Sequence, residues 1–316
     1  MISFHRENRA WVTLAVHPNN HPYDSALIIS NINNQVTYWL NKEDERAYYK
    51  NQVNAGIHII NSELLKICPA LNEKVDLDRD ILKPMIKTNR IYAYHTPEYI
   101  KDIGTPERYT QVMTDIKKGV VKQRSLSLKQ KCIFLDRDGT INKFNNFITK
   151  PDDLELIEGA AEAIKQINIL DYLVIVITNQ PIIARGEADF ETLDMIHMKM
   201  ETELGKYGAY IDDLFYCPHH PDSGYKGERP VYKINCDCRK PKPGMILKAA
   251  RKYNIDLSQS YMVGDDERDI KTGINAGCIP VFLTNGKLCY DDANIKNYNT
   301  LHDFVELGLL RRRDNY

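Results

Sequence analysis

From about residue 131 onward, apolar residues come in short runs: Ile133–Leu135, Leu173–Ile177, Leu214–Tyr216, Tyr261–Val263 and Pro280–Leu283. Between them lie longer stretches with helical spacing, around 158–168, 188–206, 243–253 and 268–276. Such alternation predicts a parallel sheet covered by helices on both faces. The first 115 residues read differently. The segments W-V-T-L-A-V-H, S-A-L-I-I-S, Q-V-T-Y-W-L, A-G-I-H-I-I and I-Y-A-Y-H predict short strands joined by polar turns, with a helical stretch near Leu77–Met85. Between Asp115 and Lys131 the chain is rich in Lys and Ser with little core periodicity, which places a linker at 116–130. The expected organisation is therefore a first domain over 1–115 and an α/β domain over 131–316. No internal repeat or low-complexity segment interrupts it.

Composition narrows the class. At 316 residues, with 43% hydrophobic and 27% charged residues, the chain is long enough for about two ordinary globular domains. With 42 Lys+Arg against 43 Asp+Glu, the net charge of -1 provides no global field for nucleic acid or an anionic membrane. No run approaches the roughly 18 apolar residues of a membrane span, and the N-terminus lacks a signal-peptide core, so a cytoplasmic setting is expected. Seven cysteines then argue for reduced thiols, three of them clustered as metal ligands would be.

The segment C-I-F-L-D-R-D-G-T-I-N, residues 132–142, delivers Asp136 and Asp138 from the end of an apolar run. Two carboxylates two residues apart at a strand's carboxyl end suit metal-assisted phosphoryl transfer. One can attack phosphorus beside Mg²⁺; the other can serve as acid and then base. Later strand ends supply partners. Thr178, in T-N-Q, can hold a phosphate oxygen, and Lys240, in C-R-K-P-K-P-G-M, can neutralise the transferring group. Asp265 and Asp266, with Asp269 following, can complete a shell of oxygen ligands. Each group alone has an ordinary reading as a turn, a cap or a solvated charge. Four matches in order at successive strand ends argue for a site.

C-P-H-H-P at 217–221 and C-D-C at 236–238 offer Cys217, His219, Cys236 and Cys238, a donor set suited to one tetrahedral Zn²⁺. His220 could replace His219. Four protein ligands leave no open position, so such a site pins the insertion at 222–235 beside Arg239 and Lys240. Cys68, Cys132, Cys278 and Cys289 are scattered and expected to be buried as small hydrophobes.

D-R-D-G-T, T-N-Q, Lys240 and G-D-D-E-R-D together resemble the four motifs of the haloacid dehalogenase superfamily, over roughly residues 131–316. The resemblance implies a Rossmann-like phosphatase fold. Its zinc-loop members include D-glycero-D-manno-heptose 1,7-bisphosphate 7-phosphatases and histidinol-phosphate phosphatases, and C-R-K-P-K-P-G-M resembles the heptose group. Carried over, the resemblance makes Asp136 the nucleophile and Asp138 the acid/base. Asp136, Asp138 through its backbone carbonyl, and Asp265 would bind Mg²⁺; Thr178 and Lys240 would stabilise the phosphoryl group. Phe144, Asn145, Asn146, Phe147, Asn179, Gln180, Arg185 and Arg239 would grip the sugar and its second phosphate. The chain departs from the family at Pro181, where the pattern T-N-Q-S-G becomes T-N-Q-P-I, and at Asp266, whose charge should weaken contact with an anionic substrate.

In the first half, N-A-G-I at 54–57, V-D-L-D-R-D-I-L-K-P at 75–84 and D-I-G-T-P-E-R-Y at 102–109 are similar to the later half of sugar-1-phosphate nucleotidyltransferases. Asp102 matches a metal-binding carboxylate there, yet the Gly-rich loop that cradles nucleotide phosphates is missing. Nucleotidyl transfer by this polypeptide alone is therefore not expected. An incomplete α/β domain implies self-association or a missing N-terminal segment. The pairing of two steps in making a nucleotide-activated heptose favours a heptose bisphosphate over histidinol phosphate as substrate.

Overall fold

The computed structural model describes residues 1–67, 74–144, 146–170 and 172–311. Two sheets organise it. The C-terminal sheet contains β6 (Cys132–Leu135), β7 (Leu173–Asn179), β8 (Asp213–Cys217), β9 (Tyr261–Gly264), β10 (Ile279–Leu283) and β11 (Lys296–Tyr298) in the order β11-β10-β9-β6-β7-β8. Every neighbouring pair is parallel. The strands read as nearly continuous apolar runs because both faces are covered. Ile133 and Leu135 join Val174 and Val176 on one face, packed under helices Ala160–Ile169 and Phe190–Lys206. Cys132, Phe134, Ile175 and Ile177 face the other way, against Met245, Ile246 and Ala249 of helix Gly244–Tyr253. Each large side chain buried this way contributes about 1.5–3 kcal/mol relative to exposure.

The N-terminal sheet, in the order β3-β2-β4-β1-β5, comprises β1 (Val12–His17), β2 (Leu27–Ser30), β3 (Val36–Leu40), β4 (Val53–Ile60) and β5 (Ile91–His95). Here β1 pairs antiparallel with β4 but parallel with β5. Val12, Leu14, Val16, Ile28 and Ile91 form its core, closed by Leu82 from the helical turns over 77–88. All five strands lie on the segments expected from the sequence.

The segment expected as a linker, 116–130, is partly helical. Its first residues end the helix Pro106–Lys117, Val120–Gln123 forms a further turn, and Arg124 is buried, donating to the carbonyl of Asn168. Polar residues conceal this helix because it buries no side chain fully. The two sheets are also joined far from that segment. Along one side of helix Phe190–Lys206, the backbone N–H of Tyr49 donates to Thr202 Oγ1 (2.9 Å), that of Asn51 donates to Glu201 Oε2 (2.7 Å), and Lys50 pairs with Asp194 (2.8 Å).

Candidate active site

Parallel strands aim their carboxyl ends at one edge, and the chemical groups meet there. Asp136 follows β6 directly, its backbone N–H donating to the carbonyl of Val263 in β9. Asp265 follows β9, so the two carboxylates face each other across neighbouring strand ends. Gly139 makes this approach feasible: its φ is +83°, and a side chain there would collide with the Asp265 carboxylate. The carboxylates of Asp136, Asp265 and Asp269 each offer an oxygen within 4.8 Å of the others. Burial and the charge of Asp136 push the Asp265 carboxyl up to about 6.

Lys240, 4% exposed, supplies the balancing charge, 2.8 Å from Asp136 and 2.6 Å from Asp269. Burial alone would lower the ammonium, but these two carboxylates outweigh it and raise it. Lys240 is positioned by Asn179, whose Oδ1 accepts from the Lys240 N–H (3.0 Å) while its Nδ2 donates to the Lys240 carbonyl (3.2 Å). Asn179 was expected to contact sugar; its amide here joins the end of β7 to the turn before helix Gly244–Tyr253.

Asp138 points away from that cluster. Arg137, fully buried, donates to both of its oxygens at 2.9 Å; Asn142 Nδ2 donates to Oδ1 and Gln180 Nε2 to Oδ2, each at 2.9 Å. Burial raises the Asp138 carboxyl, and Arg137 together with these hydrogen bonds overcomes that and leaves it below the ordinary range. Gln180 also donates to Thr178 Oγ1 (2.8 Å), so this second expected sugar contact is an internal brace. Thr178 itself is buried at the end of β7.

The other expected contacts lie on the loop after β6, the helical turn after β7 and the turn before helix Gly244–Tyr253. Phe144 and Phe147 are exposed and meet edge to face at 5.8 Å; Asn146 is exposed, and Asn145 lies outside the described residues. Arg185 lies between Phe147 and Tyr225, while Arg239 Nη1 donates to the carbonyl of His219 (2.9 Å). Pro181 caps the short helix Ile182–Arg185, where its missing N–H leaves no helical bond unmade. Asp266 is no unpaired charge: it caps helix Glu267–Ala276 and pairs with Arg268 at 2.7 Å. The expected repulsion of an anionic substrate is thus offset within the chain.

Cys217, His219, Cys236 and Cys238 form the second cluster, with one donor atom from each within 4.8 Å of the rest. Sulfur–sulfur separations run from 3.1 to 3.4 Å, and His219 Nδ1 is 3.3 Å from Cys238 Sγ. Hydrogen bonding from Cys217 pulls the Cys238 thiol down to about 5. His220 is turned elsewhere, its Nδ1 accepting from the Asp222 N–H, which decides between the two histidines. Of the scattered cysteines, Cys132 and Cys278 are buried as expected, Cys289 is exposed because it sits in a surface loop, and Cys68 lies outside the described residues.

Arg137, Asn142 and Tyr225 were not expected at the site, whereas Asp269 was expected as a further oxygen ligand and also pairs with Lys240. Arg137, Asn142 and Tyr225 offer no signal until the loops fold. Asp102, by contrast, is exposed, accepts from the Gly104 N–H (2.6 Å) and pairs with Arg108. It borders a cavity of about 1070 Å³ between the sheets.

The fold and the family comparisons define a haloacid dehalogenase-like phosphatase, a phosphoric monoester hydrolase. A family described as HAD-hydrolase-like matches residues 237–307. D-glycero-beta-D-manno-heptose-1,7-bisphosphate 7-phosphatase of Pasteurella multocida is 42% identical over 182 residues, 57% of this chain and 96% of that protein. The enzyme of the same name from Haemophilus ducreyi is 38% identical over 56% of this chain and 96% of its own length. A HAD-like phosphatase structure from Mesorhizobium loti superposes with a TM-score of 0.51 at 28% identity, covering 56% of this chain and 85% of the other. The chain belongs to the D-glycero-beta-D-manno-heptose-1,7-bisphosphate 7-phosphatase family.

Proposed function

We propose that the chain removes the 7-phosphate of D-glycero-D-manno-heptose 1,7-bisphosphate through an aspartyl-phosphate on Asp136. The observation that carries the chemistry is the convergence of Asp136 and Asp265 at adjoining strand ends with Lys240 from the turn before helix Gly244–Tyr253. The named relatives supply the substrate class. An Asp136 oxygen attacks phosphorus as the bond to the sugar oxygen breaks, and Asp138, which must first take up a proton against the pull of Arg137 as the phosphorylated substrate enters, gives that proton to the leaving oxygen. Water then attacks phosphorus, Asp138 takes a proton, and the Asp136–phosphorus bond breaks to release phosphate. Lys240 neutralises the oxygens of the transferring group, and Thr178 holds one of them.

Closely grouped, partly buried carboxylate oxygens fit a hard divalent cation, and we assign Mg²⁺ to Asp136 and Asp265. The Asp138 carbonyl is assigned as a further ligand, and Asp269 serves chiefly to hold Lys240. Once bound, Mg²⁺ supplies positive charge that screens the carboxylates from the phosphoryl oxygens. The three thiols and one imidazole fit Zn²⁺, which would hold the 222–235 insertion without taking part in the reaction. Asn146, Phe144, Phe147, Arg185 and Arg239 are proposed to meet the sugar and its second phosphate.

Residues 1–115 are read as a sugar-nucleotidyltransferase-like domain, with 131–316 as the phosphatase. No helix among the described residues is long and apolar enough to cross a membrane, which accords with a cytoplasmic enzyme acting on a small phosphorylated sugar. A substrate panel tests the assignment. Heptose 1,7-bisphosphate should exceed histidinol phosphate by at least about a hundredfold in kcat/KM; equal or better turnover of histidinol phosphate overturns it.

A further inference from the structure

We propose that Tyr225 is a positioning residue that fixes Arg185 and thereby sets the preference for substrates carrying a second phosphate; this rests on the sugar-bisphosphate reading above. The Arg185 guanidinium carbon lies 4.4 Å from the Phe147 ring centre and 4.3 Å from that of Tyr225. Its Nη2 also donates to the Tyr225 hydroxyl (3.2 Å). Two ring faces and one hydrogen bond leave this long side chain little rotameric freedom. Its Nε is buried without a hydrogen-bond partner among the described residues. A buried cationic donor left unsatisfied costs about 1–3 kcal/mol, so the arrangement points to an acceptor that arrives with the substrate.

Tyr225 is itself held from several sides. Its N–H and that of Gly224 donate to Glu228 Oε2, at 3.1 and 3.0 Å. Glu228 pairs with Lys233 (3.3 Å), whose ammonium lies 4.9 Å from the Tyr225 ring centre. The His220 ring meets Tyr225 edge-on at 5.7 Å. The insertion also sits directly on the turn that carries Arg185. Arg229 N–H donates to the Ala184 carbonyl (2.9 Å), and any side chain at Gly186, whose φ is +73°, would collide with the Gly227 carbonyl. Movement of the insertion therefore moves the stack. Arg239, held to the carbonyl of His219 (2.9 Å) beside the His220 ring that packs on Tyr225, adds a second guanidinium to this side of the insertion, and paired guanidiniums suit a phosphate dianion.

The test compares wild type, Tyr225→Ala and Tyr225→Phe on heptose 1,7-bisphosphate, heptose 7-phosphate and p-nitrophenyl phosphate. Wild type is expected to prefer the bisphosphate to the 7-phosphate by at least about tenfold in kcat/KM. Tyr225→Ala should remove about tenfold of the bisphosphate value, chiefly through KM, while the other two substrates stay within about twofold. Tyr225→Phe, which keeps the ring, should restore most of the loss. A bisphosphate preference that survives Tyr225→Ala overturns the proposal, as does an equal fall on all three substrates. Absence of bisphosphate turnover in wild type instead removes the underlying substrate reading and this proposal with it.

Discussion

The six-stranded sheet brings Asp136, Thr178 and Asp265 from three strand ends to a common edge, with Lys240 buried among them, whereas Asp102, beside the five-stranded sheet, is exposed and tied to its neighbour Arg108. Both regions have sound apolar cores. A core therefore does not make a site: parallel strands with helices between them aim several loops one way, while β2, β3 and β4 are paired antiparallel and turn their connections to alternate ends.

The sharpest way to break this comparison is to neutralise one carboxylate on each side. Asp136→Asn should lower phosphate release at least about 10⁴-fold with the fold intact by circular dichroism, because no nucleophile remains. Asp102→Asn should leave release within about twofold; a large loss would place the first region in the phosphatase mechanism. Next in size, Lys240→Ala should cost about 10²–10³-fold in kcat, by removing charge stabilisation at phosphorus, measured in steady state with the bisphosphate.

A smaller effect concerns the cysteine cluster. Cys236→Ser, or treatment with a strong chelator, should expose the 222–235 insertion to limited proteolysis and lower the midpoint of thermal unfolding by several degrees, since metal binding and loop ordering are linked. An unchanged cleavage pattern and midpoint would mean that the loop holds itself.

The smallest effect tests the seam between the regions. Burial pushes the Glu201 carboxyl up to about 7. The folded state then binds this proton more tightly than the unfolded state, so the group's favourable contribution is complete below its ordinary value and is lost as pH rises toward 7. Glu201→Gln can still accept from the Asn51 N–H. It should stabilise the protein at pH 8 by about 1–2 kcal/mol in urea titrations, with the difference vanishing near pH 4.5.

Much of the C-terminal architecture was legible because buried parallel strands are written as apolar runs and their intervening helices as amphipathic ones. The carboxylates, Lys240 and the cysteine cluster were legible because such residue types at such spacings are chemically unusual. Side-chain destinations were not. Asn179 and Gln180 lie in a segment expected to touch sugar, yet Asn179 binds the Lys240 backbone and Gln180 binds Asp138 and Thr178. Nothing local distinguishes an amide that meets ligand from one that braces its neighbours. Likewise Arg137 resembles a surface residue in the sequence, and only burial against Asp138 makes it a carboxylate anchor. The helix Pro106–Lys117 escaped for the opposite reason, since its residues are mostly polar and none of them is fully buried.

Phosphorus NMR of the products from heptose 1,7-bisphosphate tests the central claim most directly. The account predicts inorganic phosphate together with a heptose that keeps its anomeric 1-phosphate, and loss of both new signals in Asp136→Asn. Release of the 1-phosphate, or undiminished product formation by Asp136→Asn, would contradict it.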